Sequence, residues 1–471
     1  MNLGRLSSFF SKRKKARGGV VARFDVASTT ADNSKHWGAA DSLSADAATN
    51  LSVRRTLRNR SRYEVANNSY AKGIVVTLAN DTIGTGPRLQ MLTNDERLNS
   101  EIEEQFAIWS DRIHLAEKLR TMRMARCQDG ESFGIMCNNP NLSFSPVKLD
   151  LQVIETDCVS DEQAVTTDRY IDGIKFDEYG NPVSYHVLKL HPGSVGEINV
   201  DNPNAFRVIP AENMIHIFRQ DRPGLHRGIP ELTPALPLFA QLRRYTLAVL
   251  TAAEAAADFS GIIYTDTPAG GESDQLEALD PIQLQRNMLL TMPNGWKMGQ
   301  LDPKQPTATY GEFKTQILNE IARCLNMPFN IAAGNSAGYN YASGRLDWQT
   351  YFRSIKVDQR YLGSNVLDPL FRKWIREYSL STRKDIDVNV WHTWFWDGTE
   401  HVDPLKEANA QSVRLASRTT TYAAEFARAG IDWEDAFDQI AKEKKRMDEL
   451  GISPADIFPA VPEANTNSSE E

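Results

Sequence analysis

Four cysteines in 471 residues, with no Cys-x-x-Cys pair, supply neither a disulfide framework nor a metal knuckle. Cys127, Cys137, Cys158 and Cys324 are scattered, as free thiols are in a reducing cytosol. Histidine is scarce too, and its spacing never forms H-E-x-x-H, which excludes the usual zinc hydrolases. There is no G-x-x-x-x-G-K-[ST] run, so any ATP-driven step belongs to a partner. No uninterrupted apolar segment reaches bilayer length, and the first residues lack the apolar core of a signal peptide. Positive charge is in deficit: 53 Lys and Arg face 61 Asp and Glu, for a net charge of −8 and a pI of 5.6. A simple DNA clamp would be basic. No cofactor, metal or membrane is expected. The remaining composition, 41% hydrophobic and 24% charged, is that of a folded soluble protein large enough for about three domains.

What the chain does have is one long strut, Pro230 to Phe259. Thr233 is a suitable helix cap, and Pro234 and Pro237 fall where a first turn tolerates them. Leu238, Leu242, Tyr245, Val249, Ala252 and Ala256 recur at steps of four and three and so share a face. A helix from Pro234 to Phe259 would be about 39 Å long, beyond the ordinary globular helix. Its second half is rich in alanine, which lets neighbouring backbones approach. The strut reads as a packing element of an assembly, with the central helix of a monomeric domain as the alternative.

Around it, residues 1–50 read as an extended arm with a basic cluster, Lys12, Arg13, Lys14, Lys15 and Arg17. Helices are expected over Leu51–Asn67, Ser69–Asp81, Asp95–Trp109 and Ile113–Gln128, the last stopped by Gly130. Residues 131–220 switch to period two. There Ile171–Phe176 and Val183–Leu190 flank a hairpin turn at Asp177–Pro182, and Met214–Phe218 forms a further strand. Beyond the strut come a strand at Met288–Thr291 with a Pro293-Asn294-Gly295 turn, an amphipathic helix Phe313–Leu325 and a small-residue loop Asn330–Gly344. Then follow a helical stretch Arg345–Tyr378, a strand Asp385–Trp396, and helices Asp403–Ser417, Thr420–Ala429 and Asp432–Leu450. The tail from Pro462 is acidic, polar and expected to be disordered.

Several constellations invite chemistry. Gly334-Asn335-Ser336-Ala337-Gly338 matches G-x-S-x-G, with Asp347 and His392 in hydrolase order. The strand before the serine and the regular strand–helix alternation are missing. Gly84-Thr85-Gly86 reads as a turn, not a phosphate loop. His216 reads as a satisfied structural residue and Asp385 with Asp387 as solvated strand-edge charges. Trp391, Trp394, Phe395 and Trp396 read as a strand burying aromatics on both faces, and Lys442–Arg446 as a solvated helix face.

Motifs spread from residue 24 to 451 make the chain resemble the portal proteins of tailed bacteriophages, in the lambda-type family. They include Phe24-Asp25 with Trp37, Leu57-Arg58-Asn59-Arg60-Ser61-Arg62, Asn67-Asn68-Ser69-Tyr70-Ala71 and Asn80–Gly86. Gly130-Glu131-Ser132-Phe133 looks like the family's GE-x-F step. Gly180-Asn181-Pro182-Val183, Ile215-His216, Gln220–Gly224, Arg227-Gly228-Ile229-Pro230, Met327-Pro328, Asn340–Ser343 with Arg345, and Trp396 with Asp403–Glu407 complete the set. Ala342 and Gly344 stand where the family often has Ser and Ala, which leaves the local helix start open.

The resemblance implies an α+β, mainly helical subunit of a ring, usually of twelve, with wing, stem, clip and crown. It assigns residues 1–50 to an arm, 51–159 to the helical part of the wing, 160–222 to a β-rich clip and 223–262 to the stem. Residues 263–400 become the rest of the wing, 401–452 the crown and 453–471 the tail. Leu242, Tyr245, Val249, Ala252 and Ala256 become stem packing positions. Asn335, Ser336, Tyr339, Asn340, Tyr341, Ser343 and Arg345 become channel-loop candidates, with the connection 264–312 as the alternative. Implied partners are a terminase motor, capsid and scaffolding proteins, head-completion and tail proteins, and double-stranded DNA in transit. Implied location is the portal vertex of the virion, assembled in the host cytoplasm. The rival readings are a serine hydrolase using Ser336 and another virion structural protein, a capsid or tail-tube subunit.

Overall fold

Short polar side chains fix where the helices start. Asn50 accepts from the backbone N–H of Ser52 and Val53 and opens Leu51–Asn67; Asn68 does the same for Ser69–Ile83. Asp95 opens Glu96–Arg112, Thr421 opens Tyr422–Arg428 and Asp432 opens Trp433–Leu450. Gly130, left-handed at φ 96°, ends Leu115–Asp129. These bounds lie within a few residues of those read from the sequence. The computed structural model describes residues 35–38, 40–143, 145–160, 169–194, 205–258, 262–265, 296–299, 309–398 and 404–452. The basic cluster, the Met288–Thr291 strand with its turn, and the tail fall outside the described residues. The fold is α+β and mainly helical.

Two antiparallel sheets carry most of the β structure. One has three strands, with Glu131–Asn138 between Leu149–Ile154 and Met214–Phe218. The other has four, in the order Tyr170–Ile171, Ile174–Phe176, Pro182–Leu188, Phe206–Pro210. The hairpin turn closes as its sequence requires: the Asp177 side chain accepts from the N–H of Tyr179 at 2.9 Å and Asn181 at 2.8 Å. The β-rich stretch therefore serves two sheets, because Met214–Phe218 pairs with Glu131–Asn138 rather than with the hairpin.

Three apolar clusters hold the chain together. The first packs Phe106, Trp109, Phe371, Trp374 and Tyr378 between helices Glu96–Arg112 and Asp368–Thr382 and the three-stranded sheet. The second joins helix Ser69–Ile83 to Phe239 and Leu242 of the strut and to Ile317, Ile321, Tyr351 and Ile355. The third lies between the two sheets, around Phe133, Val159, Tyr185 and Val187.

Several expectations are corrected. The arm contains a short helix, Ala45–Ala48, capped by Ser44. The strand Asp385–Trp396 shrinks to His392–Phe395, paired with Arg88–Met91, and Asp385 and Asp387 lie exposed before it. Trp391 is 80% exposed instead of buried, while Trp394 packs against the first cluster and donates to Asp368 at 2.8 Å. Asn330–Gly344 is helical at both ends, in Phe329–Ala333 and in Tyr341–Leu362, leaving only residues 334–340 as loop. A wider π turn, Gly363–Leu367, interrupts the helical stretch that follows.

The C-terminal helix meets the body through like charges. Glu103, on Glu96–Arg112, accepts from the Met91 N–H at 2.5 Å and faces Asp432, Glu434 and Asp435. Gln90 Nε2 donates to Asp432 at 2.6 Å across the same joint. Burial, with the nearby acids, pushes the Glu103 carboxyl up to about 7. A carboxylate raised in the fold is destabilising once ionised, so its penalty grows as pH rises from the unfolded value through about 7. Glu103→Gln is expected to stabilise the protein at pH 8 by about 1–2 kcal/mol after allowing for solvent screening, and to change little at pH 5. Paired denaturant titrations at the two pH values check this; equal shifts at both would refute it.

Candidate functional site

The strut departs from its expected start. Thr233 does not cap an α-helix; it lies in a 3-10 turn, Thr233–Ala235, and its hydroxyl donates to the Pro230 carbonyl at 2.7 Å. The α-helix proper runs Leu236–Asp258. Its first turns are anchored, with Phe239 fully buried and Leu242 4% exposed. Tyr245 is half-buried against Tyr310 and Phe313, whose ring centroids lie 5.8 and 4.6 Å away. Beyond that point the chain supplies less and less cover. Leu247 and Leu250 are 58% and 54% exposed, and Val249 and Ala252 are only half-buried. Ala256 continues the same helix.

The channel-loop candidates belong to the loop 334–340 and to the start of the helix that follows it. Asn335, Ser336 and Asn340 are exposed and Tyr339 is half-buried in the 334–340 loop. Tyr341, Ser343 and Arg345 belong to the first turns of Tyr341–Leu362, where Asn340 and Ser343 form a reciprocal capping box. Ser336 thus follows a helix, not a strand. His392 uses both ring nitrogens elsewhere, on the Val390 carbonyl at 2.9 Å and Asp368 at 3.3 Å. Among the described residues, nothing assembles a hydrolase triad around Ser336.

Sequence reading missed the feature that positions the strut: two buried charge networks. Glu131 opens the central strand of the three-stranded sheet and has no exposed surface. A lone carboxylate there would be prohibitively unstable. Arg227 donates to it through Nη2 at 2.7 Å and Nε at 3.0 Å, and the Gly228 N–H donates at 3.1 Å. His216 Nε2 lies at 3.0 Å, its ring stacked against Phe133 and Phe218, and Arg58 at 3.6 Å. Burial would raise the Glu131 carboxyl, but Arg227 and His216 outweigh it and hold the group well below the carboxylate range. Asp172, left-handed at φ 41°, is held by Arg54 and by Arg227 at 3.0 Å. Asp157 takes Arg58 at 2.6 Å and Arg62 at 2.8 Å, and Asp129 takes Arg62 at 2.8 Å. A signal was present: Arg54, Arg58 and Arg62 repeat every four residues on one helix face, whereas Arg55 and Arg60 point to solvent.

Four residues after Arg227 comes the second network. Glu231, 2% exposed, receives Arg123 at 3.1 Å and Arg126 at 2.9 Å, and both arginines also reach Asp358 on Tyr341–Leu362. Burial opposes ionisation, yet Arg123 and Arg126 pull the Glu231 carboxyl down to about 2. Between the networks the backbone crosses itself at van der Waals limits. A Cβ on Gly228 would stand 2.1 Å from the Gly130 carbonyl oxygen, and one on Gly130 2.3 Å from the Ile229 carbonyl carbon. Gly228→Ala is expected to destabilise the protein by about 3 kcal/mol, since backbone must move to admit it. An unchanged denaturation midpoint would show that the crossing is slack.

Glu155, Asp157 and His191 bring their ligand atoms within 4.8 Å of one another. The Gly193 N–H donates to His191 Nδ1 at 3.0 Å, which leaves the ring proton on Nε2, facing Glu155 at 3.0 Å. Both Asp157 oxygens already face arginines. The cluster is a polar clamp between the sheets.

Residues 31–359 match the family described as phage portal protein, lambda family. The chain belongs to the lambda family of phage portal proteins. Its function is that of a head–tail connector, and nothing supports the hydrolase alternative. A probable portal protein of Halomonas phage phiHAP-1 is 26% identical over 437 residues, 84% of this chain and 81% of its own. Portal protein B of Escherichia phage lambda is 21% identical over 174 residues, 34% of this chain and 33% of its own. A chain from the neck of an empty GTA particle, computed with C6 symmetry, aligns at a TM-score of 0.45 and 15% identity, over 80% of this portal protein and 93% of that chain. The family's motifs coincide with the charge networks: the arginine block, the GE-x-F step, Ile215-His216 and Arg227-Gly228 all meet at Glu131.

Proposed function

We propose that copies of this portal protein close into a ring, of twelve subunits, at one capsid vertex, and that double-stranded DNA passes through its hole during packaging and ejection. The observation that carries the ring is the strut: anchored at Phe239 and Leu242, then running on with Leu247 and Leu250 more than half exposed and Val249 and Ala252 only half-buried. Apolar and small side chains in that arrangement fit a second copy of the same helix. A net charge of −8 per subunit favours a bore that repels phosphates, so that DNA slides instead of being held by counterion-releasing contacts.

In this reading the four-stranded sheet is the clip that docks terminase and, later, head-completion and tail proteins. Helices Pro404–Ala416, Tyr422–Arg428 and Trp433–Leu450 form the crown, and residues 334–345 or the 264–312 connection line the channel. The subunit works without catalysis; the motor's ATP is spent by its partner. Electron microscopy of the purified full chain, with genome packaging in particles lacking it, tests the proposal. Isolated rings with a central hole and empty particles are expected. A strictly monomeric sample, shells or tubes, or normal filling without the protein would overturn it.

A further inference from the structure

A groove of about 620 Å³ opens between helix Leu51–Asn67 and the first turns of the strut. Leu57 and Tyr63 line one side, Pro237 and Ala240 the other, and Arg60 and Arg243 stand in it. Tyr63 is 58% exposed, with the Arg243 guanidinium 5.2 Å from its ring centre. On the strut, Leu236, Ala240, Arg243, Leu247 and Leu250 follow one another at steps of four and three and so form one stripe. The strut wall of the groove therefore runs on, along the same face, into the two exposed leucines.

The other flank of the strut is taken by the chain's own helix Thr309–Arg323. Tyr245 stacks on Tyr310, and the Thr246 hydroxyl lies 3.2 Å from the Tyr310 hydroxyl. That helix buries Ile317 and Ile321 and turns outward Glu312, Gln316 and Glu320, which are exposed and spaced at steps of four. Neither glutamate has a cationic partner among the described residues, and neither Arg60 nor Arg244, both exposed, has a carboxylate. The carboxylate that lines the groove, Glu64, is neutralised by Arg243 at 2.7 Å. Arg323, at the far end of the acidic face, donates to Asn326 at 3.3 Å. The two-helix unit thus has one outward face that is basic and apolar and another that is acidic.

We propose that this groove, with the stripe beyond it, receives helix Thr309–Arg323 of a second copy, whose Glu312 and Glu320 meet Arg60 and Arg244. The inference rests on the ring proposed above and names the contact that closes it. Subunits in a ring meet through two unlike surfaces, since a surface that matches itself gives a closed pair instead. A basic, apolar groove on one flank and an acidic helix face on the other supply both surfaces from one helix pair. Phe313, 44% exposed at the border of the acidic face, brings apolar cover to Leu247 and Leu250. Beyond Leu250 the strut stays free to meet the same helix of other copies.

The test co-assembles two forms of the full chain, one with Asn59→Cys and one with Gln316→Cys, both at exposed positions. Mild oxidation is followed by mass-spectrometric mapping of disulfides and by electron microscopy of the same sample. A disulfide between position 59 of one form and position 316 of the other is expected. Arg60→Glu with Arg244→Glu should lower its yield about tenfold at unchanged far-UV circular dichroism, and adding Glu312→Arg with Glu320→Arg should restore it. Rings without that disulfide, or a yield indifferent to charge reversal, would overturn this contact and leave the ring standing. A protein that forms no rings would overturn both.

Discussion

Glu131→Ala is expected to lower the stability of the folded subunit by about 3–5 kcal/mol, the loss typical of breaking a buried ion pair from one side. The substitution removes one small side chain but strands Arg227, which is 1% exposed and gives two of its nitrogens to that carboxylate. It also unpairs His216 and the Gly228 N–H. Glu131→Gln keeps the shape and loses the charge, and should fall between the two. Chemical denaturation of the three proteins at pH 7 measures the order. The pH dependence has a definite sign. A carboxyl held low in the fold stabilises above its unfolded value and ceases to do so as pH falls through the folded one. Wild type should therefore lose stability on acidification below the ordinary carboxylate range, as Glu131 and Glu231, both held low in the fold, take up protons. Glu131→Ala should lose less over the same interval. A variant as stable as wild type would mean that the arginines find water or other anions without distress.

Ala252→Trp should abolish ring closure while leaving the subunit folded. Ala252 lies in the half of the strut that its own chain covers only in part, so an indole there disturbs little within the subunit. Its helix propensity penalty is about 0.5 kcal/mol, too small to unwind 23 residues anchored at Phe239. Between copies, the same indole fills the space that alanine leaves for a neighbouring backbone. Light scattering should report the mass of a single subunit in place of an assembly, with far-UV circular dichroism near wild type. Rings at normal yield would refute close packing along this helix.

Much of this fold could be read from the sequence, for reasons that are local. Asn50, Asn68, Asp95 and Gly130 announce helix ends through one side chain or one φ angle, and Asp177 to Pro182 announces a hairpin the same way. The failures are where distant residues decide. Met214–Phe218 reads as a strand, but only the Glu131–Asn138 edge determines which sheet it joins. Trp391 reads as core because its neighbours are aromatic, yet it is left in solvent beyond the first residue of a four-residue strand. The arginines of Leu51–Asn67 look like a solvated face until carboxylates from four other segments are brought to them. Their spacing of four was visible; their partners, 67 to 118 residues away, were not.

The short passage from Arg227 to Glu231 places a cation in one sealed compartment and an anion in the next, then delivers the chain to the strut. Its length is therefore under tighter control than its composition. One residue more or fewer would swing one of the two charges out of its compartment, whereas the hairpin tip at Tyr179 can lengthen into solvent without consequence. Among relatives of this chain, insertions and deletions should gather at such tips and spare this five-residue ruler.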